Sequence, residues 1–206
     1  MLIRQGALPI RDFFVIYGPG QYYLTAFMYA VLGEDLLASR ILHVLLLALL
    51  GTGVYICTLS LARQSKSLSL LTLAVYLLAS GILWINPGYA SVPAVLMLLF
   101  ASLVFASWAK SGTRIQLAIT SSVVAIAGLF RWDFGIYGLL ALALATSGLL
   151  AARRASWRNA SATLATALLP GLALMLIVFS PFVKPPTGGM RDVVMETMDQ
   201  VKTMLY

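Results

Sequence analysis

The chain has 206 residues, 61% of them apolar and only 10% charged, with a formal net charge of +7. That balance excludes an ordinary soluble domain and fits a polytopic membrane protein. The excess of bases does not mark a nucleic-acid binder, because they sit at the ends of apolar runs and form no patch interleaved with aromatics.

No signal peptide is expected at the start, since the first 18 residues carry Arg4, Arg11 and Asp12 and lack an apolar core segment. The next run, Pro19 to Leu32, holds 14 residues. A spanning helix needs about 20, and Gln21, Tyr22, Tyr23, Thr25 and Tyr29 suit this run to the membrane interface. Pro19 near the first turn and Gly33 just past the end match helix start and stop chemistry. A juxtamembrane helix is therefore expected here, with a short tilted span as the alternative. Six apolar stretches follow, at roughly 41–62, 68–85, 90–109, 114–130, 134–150 and 162–183. The fourth and fifth are short and joined by Arg131-Trp132-Asp133, which reads as a helical hairpin with a charged tip. The expected fold is all-α, a bundle of about six transmembrane helices plus the N-terminal juxtamembrane helix, in contact with the lipid bilayer.

Charge orients the bundle. With the start of the 41–62 stretch outside, Arg63, Lys66, Lys110, Arg114, Arg153, Arg154 and Arg158 fall inside with no acid among them, and all seven acids fall outside. Short loops rich in Lys and Arg stay cytoplasmic. The expected organisation is an external arm and juxtamembrane helix over 1–35, a transmembrane bundle over 36–183 and an external amphipathic tail over 184–206. Cys57 lies inside an apolar run and reads as a small buried residue; His43 reads as interfacial, having no second His or Cys nearby to share a metal. Small pairs such as Ala141 with Ala145 and Ala143 with Ser147 read as helix-packing surfaces. Asn86-Pro87-Gly88-Tyr89 reads as an external turn on the side of Asp12.

Two short segments carry a resemblance. The first is Gly6-x-x-Pro9-x-Arg11-Asp12-Phe13, then Gly18-Pro19-Gly20-x-Tyr22-Tyr23, Leu32-Gly33 and Arg40; the second is Phe130-Arg131-Trp132-Asp133-Phe134-Gly135. Together they resemble bacterial members of the GT-C membrane glycosyltransferases, the group of protein mannosyltransferases, aminoarabinose transferases and their relatives. In layout the resemblance runs the length of the chain. It implies a first external loop with juxtamembrane helices, Arg40 opening the second span, and an Arg-x-Asp tip between two later spans. Such proteins begin with an earlier span and an acid soon after it, and continue into further spans, so both ends here are expected to be cuts in a longer transferase, whose activity as a fragment is open. Where the mannosyl and aminoarabinose branches carry His- or Lys-Pro-Pro after an acid, this chain has Tyr17-Gly18-Pro19-Gly20, so the acceptor is not borrowed from either.

The implied reaction moves a sugar from a polyprenyl-phosphate-linked donor to an acceptor on the outer face of a bacterial cytoplasmic membrane. It needs a base for the acceptor proton, cations for the lipid phosphate and a groove for the prenyl chain. Asp12 is the candidate catalytic acid; its alternatives are pairing with Arg11 or Arg131, or capping a helix. Arg131, a planar fork at the outer boundary, is the candidate donor-phosphate ligand, the alternative being a pair with Asp133. Arg40 either meets the phosphate or anchors its helix by snorkelling. Arg11, Tyr17, Tyr22 and Asp133 are candidate substrate contacts, though an aromatic belt explains the tyrosines equally. No metal cluster is visible; a divalent cation shared by Asp12, Asp133 and an upstream acid is compatible with hard-ion chemistry, but two acids do not define it. The competing readings are a transporter or permease subunit, with Pro87 and Pro93 marking broken helices, and a structural membrane subunit. Charge at span ends rather than at mid-span favours the transferase.

Overall fold

The computed structural model describes residues 3, 17–61, 65–82, 90–152 and 157–180. Among them lie seven helices and no strand: α1 (Gly20–Leu32), α2 (Leu36–Leu61), α3 (Lys66–Ile82), α4 (Ser91–Ser111), α5 (Arg114–Phe130), α6 (Trp132–Ala152) and α7 (Trp157–Phe179). The all-α membrane bundle is therefore observed, with six helices following a short first one. Four stretches are long and apolar enough to cross a membrane, Leu36–Ser60, Ser91–Ser111, Trp132–Ala152 and Asn159–Phe179, while α3 and α5 contribute shorter apolar helices. The charged side chains of α2 to α6 cluster toward helix ends (Arg40, Lys66, Lys110, Arg114, Asp133), as expected where hydrocarbon solvates the middle.

The helix punctuation follows the chemistry of the residues. Gly33 closes α1 at φ 90°, and Gly112 closes α4 at φ 75° with its N–H on the Trp108 carbonyl at 2.8 Å. These are the left-handed positions that Gly occupies without a Cβ penalty. Pro93 lies buried in the first turn of α4 without breaking it, because the N–H it lacks has no partner there anyway. Pro170 does sit inside α7. Next to it the Gly171 N–H donates to Ser121 Oγ of α5 at 2.9 Å, a bond that stitches the two helices where a proline weakens the ladder.

At 17 residues α5 is short, yet it is the centre of the bundle, packed by α4, α6 and α7. Its buried set is mostly small or hydroxylic: Thr120, Ser121, Val123, Val124, Ala125, Ala127 and Gly128. Small side chains let neighbouring backbones approach, which drives helix association where lipid is as apolar as leucine. Two apolar clusters result, one around Ala101, Val123, Val124 and Leu139, the other around Trp108, Leu117, Leu142 and Ala167. The large residues turn outward instead: Val44, Leu71, Leu78, Leu144, Leu176 and Ile177 are all exposed, an arrangement that suits hydrocarbon rather than water as solvent.

Contact with α2 and α4 orders the remaining helices. Cys57 Sγ of α2 approaches the Leu99 carbonyl of α4 at 3.6 Å, and Tyr76 of α3 donates to the Leu47 carbonyl of α2 at 3.0 Å. With 13 residues α1 is only about 20 Å long, shorter than a bilayer core. It begins beside the C-terminal end of α5 and its last turn meets the first turn of α2, where the Tyr29 and Ser39 hydroxyls bond at 2.6 Å.

Candidate functional site

The site is built at the α5–α6 tip. Arg131 is the single extended residue between the two helices, at φ −141° and ψ 109°. Its N–H caps α5 on the Ala127 carbonyl at 3.0 Å, and its own carbonyl accepts the Phe134 and Gly135 N–H groups that open α6. One residue suffices for the turn because Gly128 and Gly135 touch: a Cβ on Gly135 would sit 2.7 Å from Gly128 Cα. The Met175 methyl of α7 packs over the same pair.

Against this tip lie residues 17–19, which lead into α1. The Gly18 N–H donates to the Phe130 carbonyl at 3.0 Å, and Gly18 and Pro19 are both buried. The approach is close enough that a Cβ on Gly18 would stand 2.1 Å from the Leu129 carbonyl oxygen. Glycine at 18 is thus a steric requirement of docking, and the Gly-Pro-Gly segment meets the Arg-Trp-Asp segment more than a hundred residues later in the chain.

The Arg131 guanidinium is the hub. Its Nε and Nη2 donate to the two Asp133 carboxylate oxygens at 3.1 and 2.6 Å, a fork-on-fork pair, and its Nη1 donates to Ser91 Oγ of α4 at 2.8 Å. Its central carbon lies 4.5 Å from the Phe134 ring centre and 5.5 Å from that of Tyr17. Two aromatic faces, a hydroxyl and a carboxylate therefore fix the cation. About a quarter of the Arg131 and Asp133 side chains stays exposed, at 24% and 23%, so the pair is open to an incoming ion.

Below Phe134 runs an apolar groove of about 500 Å³. Its walls are α4 (Leu98, Phe105) and α6 (Phe134 to Ala145), and its floor is Thr120 and Val124 of α5. From Phe134 to Ala145 is about 17 Å along the helix. Gly138, Ala141 and Ala145 hollow it, and Ala141 and Ala145 are exposed, so the groove opens on the outside of the bundle. Ala141 and Ala145 were expected to seat a helix; among the described residues they line this open groove instead. The buried stripe of α6 is Gly135, Leu139, Leu142 and Thr146.

The sequence candidates divide accordingly. Arg131, Asp133 and Tyr17 are brought together. Asp12 and Arg11 lie outside the described residues, as do the turn at 86–89 and the tail from 184. Arg40 is exposed in the second turn of α2 and makes no bond to the tip among the described residues. Tyr22 is half-buried in α1; burial raises its phenol above the ordinary value, and neighbouring Tyr17 adds to the shift. Among the described residues no three of His, Cys, Asp and Glu gather as a metal site. Ser91 was not anticipated, and a groove was called for without its residues being named. A Ser two residues before Pro93 at a helix start carries no distinctive signal, whereas the Ala141, Ala145 spacing did, and was read as a packing surface. Cys57 is buried as expected.

Compared with protein-family models, curated proteins and solved structures, the chain matches none.

Proposed function

We propose that this chain is the donor-holding part of a GT-C-type membrane glycosyltransferase, acting on a polyprenyl-phosphate-linked sugar at the outer face of a bacterial cytoplasmic membrane. The observation that carries this reading is a cation seated on the Phe134 ring at the mouth of an apolar groove. A polyprenyl phosphate has the matching shape, an anionic head on an apolar tail. Gly18, from the described part of the first segment that bears the family resemblance, also docks on Phe130 of the second, next to that cation.

In the proposed reaction a carboxylate, for which Asp12 is the candidate, takes the acceptor proton. The acceptor oxygen forms its bond to the sugar's anomeric carbon while the bond from that carbon to the phosphate oxygen breaks. The electron pair leaves with the polyprenyl phosphate, and Arg131 stabilises the charge that grows there, where a planar fork is worth more than a point charge. Against a transporter, no charged side chain among the described residues sits midway along a helix.

A photoreactive polyprenyl-phosphate sugar incorporated in vesicles with the full chain tests this. Cross-links are expected on the α4 and α6 walls, reduced at least tenfold by Arg131→Ala. Cross-linking unaffected by Arg131→Ala, or found only on α2 and α3, sinks the proposal.

A further inference from the structure

We propose that Asp133 is a resident counter-anion at the donor site, displaced from Arg131 when a lipid phosphate binds and returning to the guanidinium when the product leaves. This deepens the reading of Arg131 as a phosphate ligand and rests on it. The geometry makes the exchange concrete. The Asp133 carboxylate occupies the Nε–Nη2 edge of Arg131 bidentately, at 3.1 and 2.6 Å. That is the edge a phosphate takes in fork-to-fork recognition. A phosphate can use it only if the carboxylate moves.

The surroundings are suited to such a move. Ser91 at 2.8 Å and the Phe134 and Tyr17 rings at 4.5 and 5.5 Å are uncharged, and they hold the guanidinium in place whether or not the carboxylate stays. Asp133 is in the first turn of α6, where the helix dipole favours a negative charge. Its side chain is 23% exposed, so the freed carboxylate can take up water. The pair is also local, two residues apart across the tip, so release requires no rearrangement of the helices.

The charge of the product gives the exchange a use. A sugar-linked polyprenyl phosphate is a diester with one negative charge; the product is a monoester carrying about −1.5 to −2 near neutral pH. A fixed monovalent competitor therefore weakens retention of a product that would otherwise bind Arg131 more tightly than the substrate. Asp133 is then a release element, not a catalytic residue.

The two roles for Asp133 predict opposite signs. If it only orients Arg131, Asp133→Asn weakens phosphate binding. If it competes, Asp133→Asn tightens it. The full chain in micelles is titrated with farnesyl phosphate, with farnesol as the control for the tail alone. Asp133→Asn is expected to bind farnesyl phosphate about fivefold more tightly, the worth of a partly exposed ion pair, with farnesol binding unchanged. Amide exchange at Gly18 checks that the tip is intact. Unchanged or weaker binding with an intact tip overturns the proposal. Should Asp133→Asn fail to fold, isotope-edited infrared on the wild-type chain decides: the Asp133 carboxylate band shifts on adding farnesyl phosphate and not on adding farnesol, and a band that stays put while phosphate binds overturns the proposal. Arg131→Ala separates the underlying reading, because farnesyl phosphate binding that survives this change removes Arg131 as the anion site whatever Asp133→Asn does.

Discussion

Replacing Gly18 by Ala perturbs the site at its tightest contact. The new Cβ would stand 2.1 Å from the Leu129 carbonyl oxygen and 2.6 Å from its carbon. Carbon and carbonyl oxygen keep roughly 3.3 Å, so the segment before α1 must retreat by about 1.2 Å. Its partner is backbone at the end of a buried helix and does not yield as a flexible side chain would. The retreat pulls the Gly18 N–H away from the Phe130 carbonyl, now 3.0 Å distant, and takes Tyr17 off the Arg131 guanidinium. Overpacking costs about 1–3 kcal/mol and the lost hydrogen bond about 1 kcal/mol. Together, about 2–4 kcal/mol shifts the docked-to-undocked ratio by roughly 30- to 1,000-fold. Because alanine keeps the amide, hydrogen exchange at residue 18 reads the same N–H in both proteins. Its protection is expected to fall by that factor, with exchange in α4 and the middle of α5 unchanged. Gly20→Ala serves as a graded control, since its Cβ would lie 3.0 Å from the same oxygen and 3.2 Å from a movable Phe130 carbon. Undiminished protection at residue 18, or equal losses in the two variants, would refute the steric account of docking.

Filling the groove without touching the tip should separate tail binding from head binding. Ala141→Phe, at an exposed wall position, is expected to reduce farnesol and farnesyl phosphate binding alike by roughly tenfold, in the range of an overpacked contact, with Gly18 exchange intact. At the α5–α7 stitch, Gly171→Ala would bring a Cβ to 2.5 Å from Ser121 Oγ and 2.7 Å from the Ser121 carbonyl oxygen. It should lower thermal stability more than Ser121→Ala, which removes one hydrogen bond worth about 1 kcal/mol; the reverse order would mean the helices do not meet at this point. For orientation, cysteines introduced at Trp132 and Lys110, both exposed at opposite ends of the bundle, are expected to react with an impermeant maleimide from outside and only after permeabilisation, respectively, in a Cys57→Ala background. The opposite pattern inverts the topology.

Helix content and helix ends were legible from the residues because both depend on local chemistry. Runs of some 20 apolar residues have one stable solution in hydrocarbon, a helix that satisfies its own backbone. Gly33, Gly112 and the clustered charges mark where those helices stop. The hairpin at Arg131 and the Arg131–Asp133 pair, offered as the alternative to a phosphate ligand, also lay within a few residues of sequence. What packs on what was not legible. In a soluble helix an apolar stripe faces the core, but here the lipid-facing and protein-facing sides are equally apolar, so periodicity carries little information. On α6, Leu139 and Leu142 are buried while Leu140 and Leu144 face outward, and nothing in their hydropathy distinguishes them. Only the tertiary structure placed α5 at the centre, laid Tyr17 and Gly18 on the Arg131 tip, brought Ser91 to its guanidinium and opened the groove beneath Phe134. Each of these is a contact between segments far apart in the chain, decided by where small side chains let backbones close on one another.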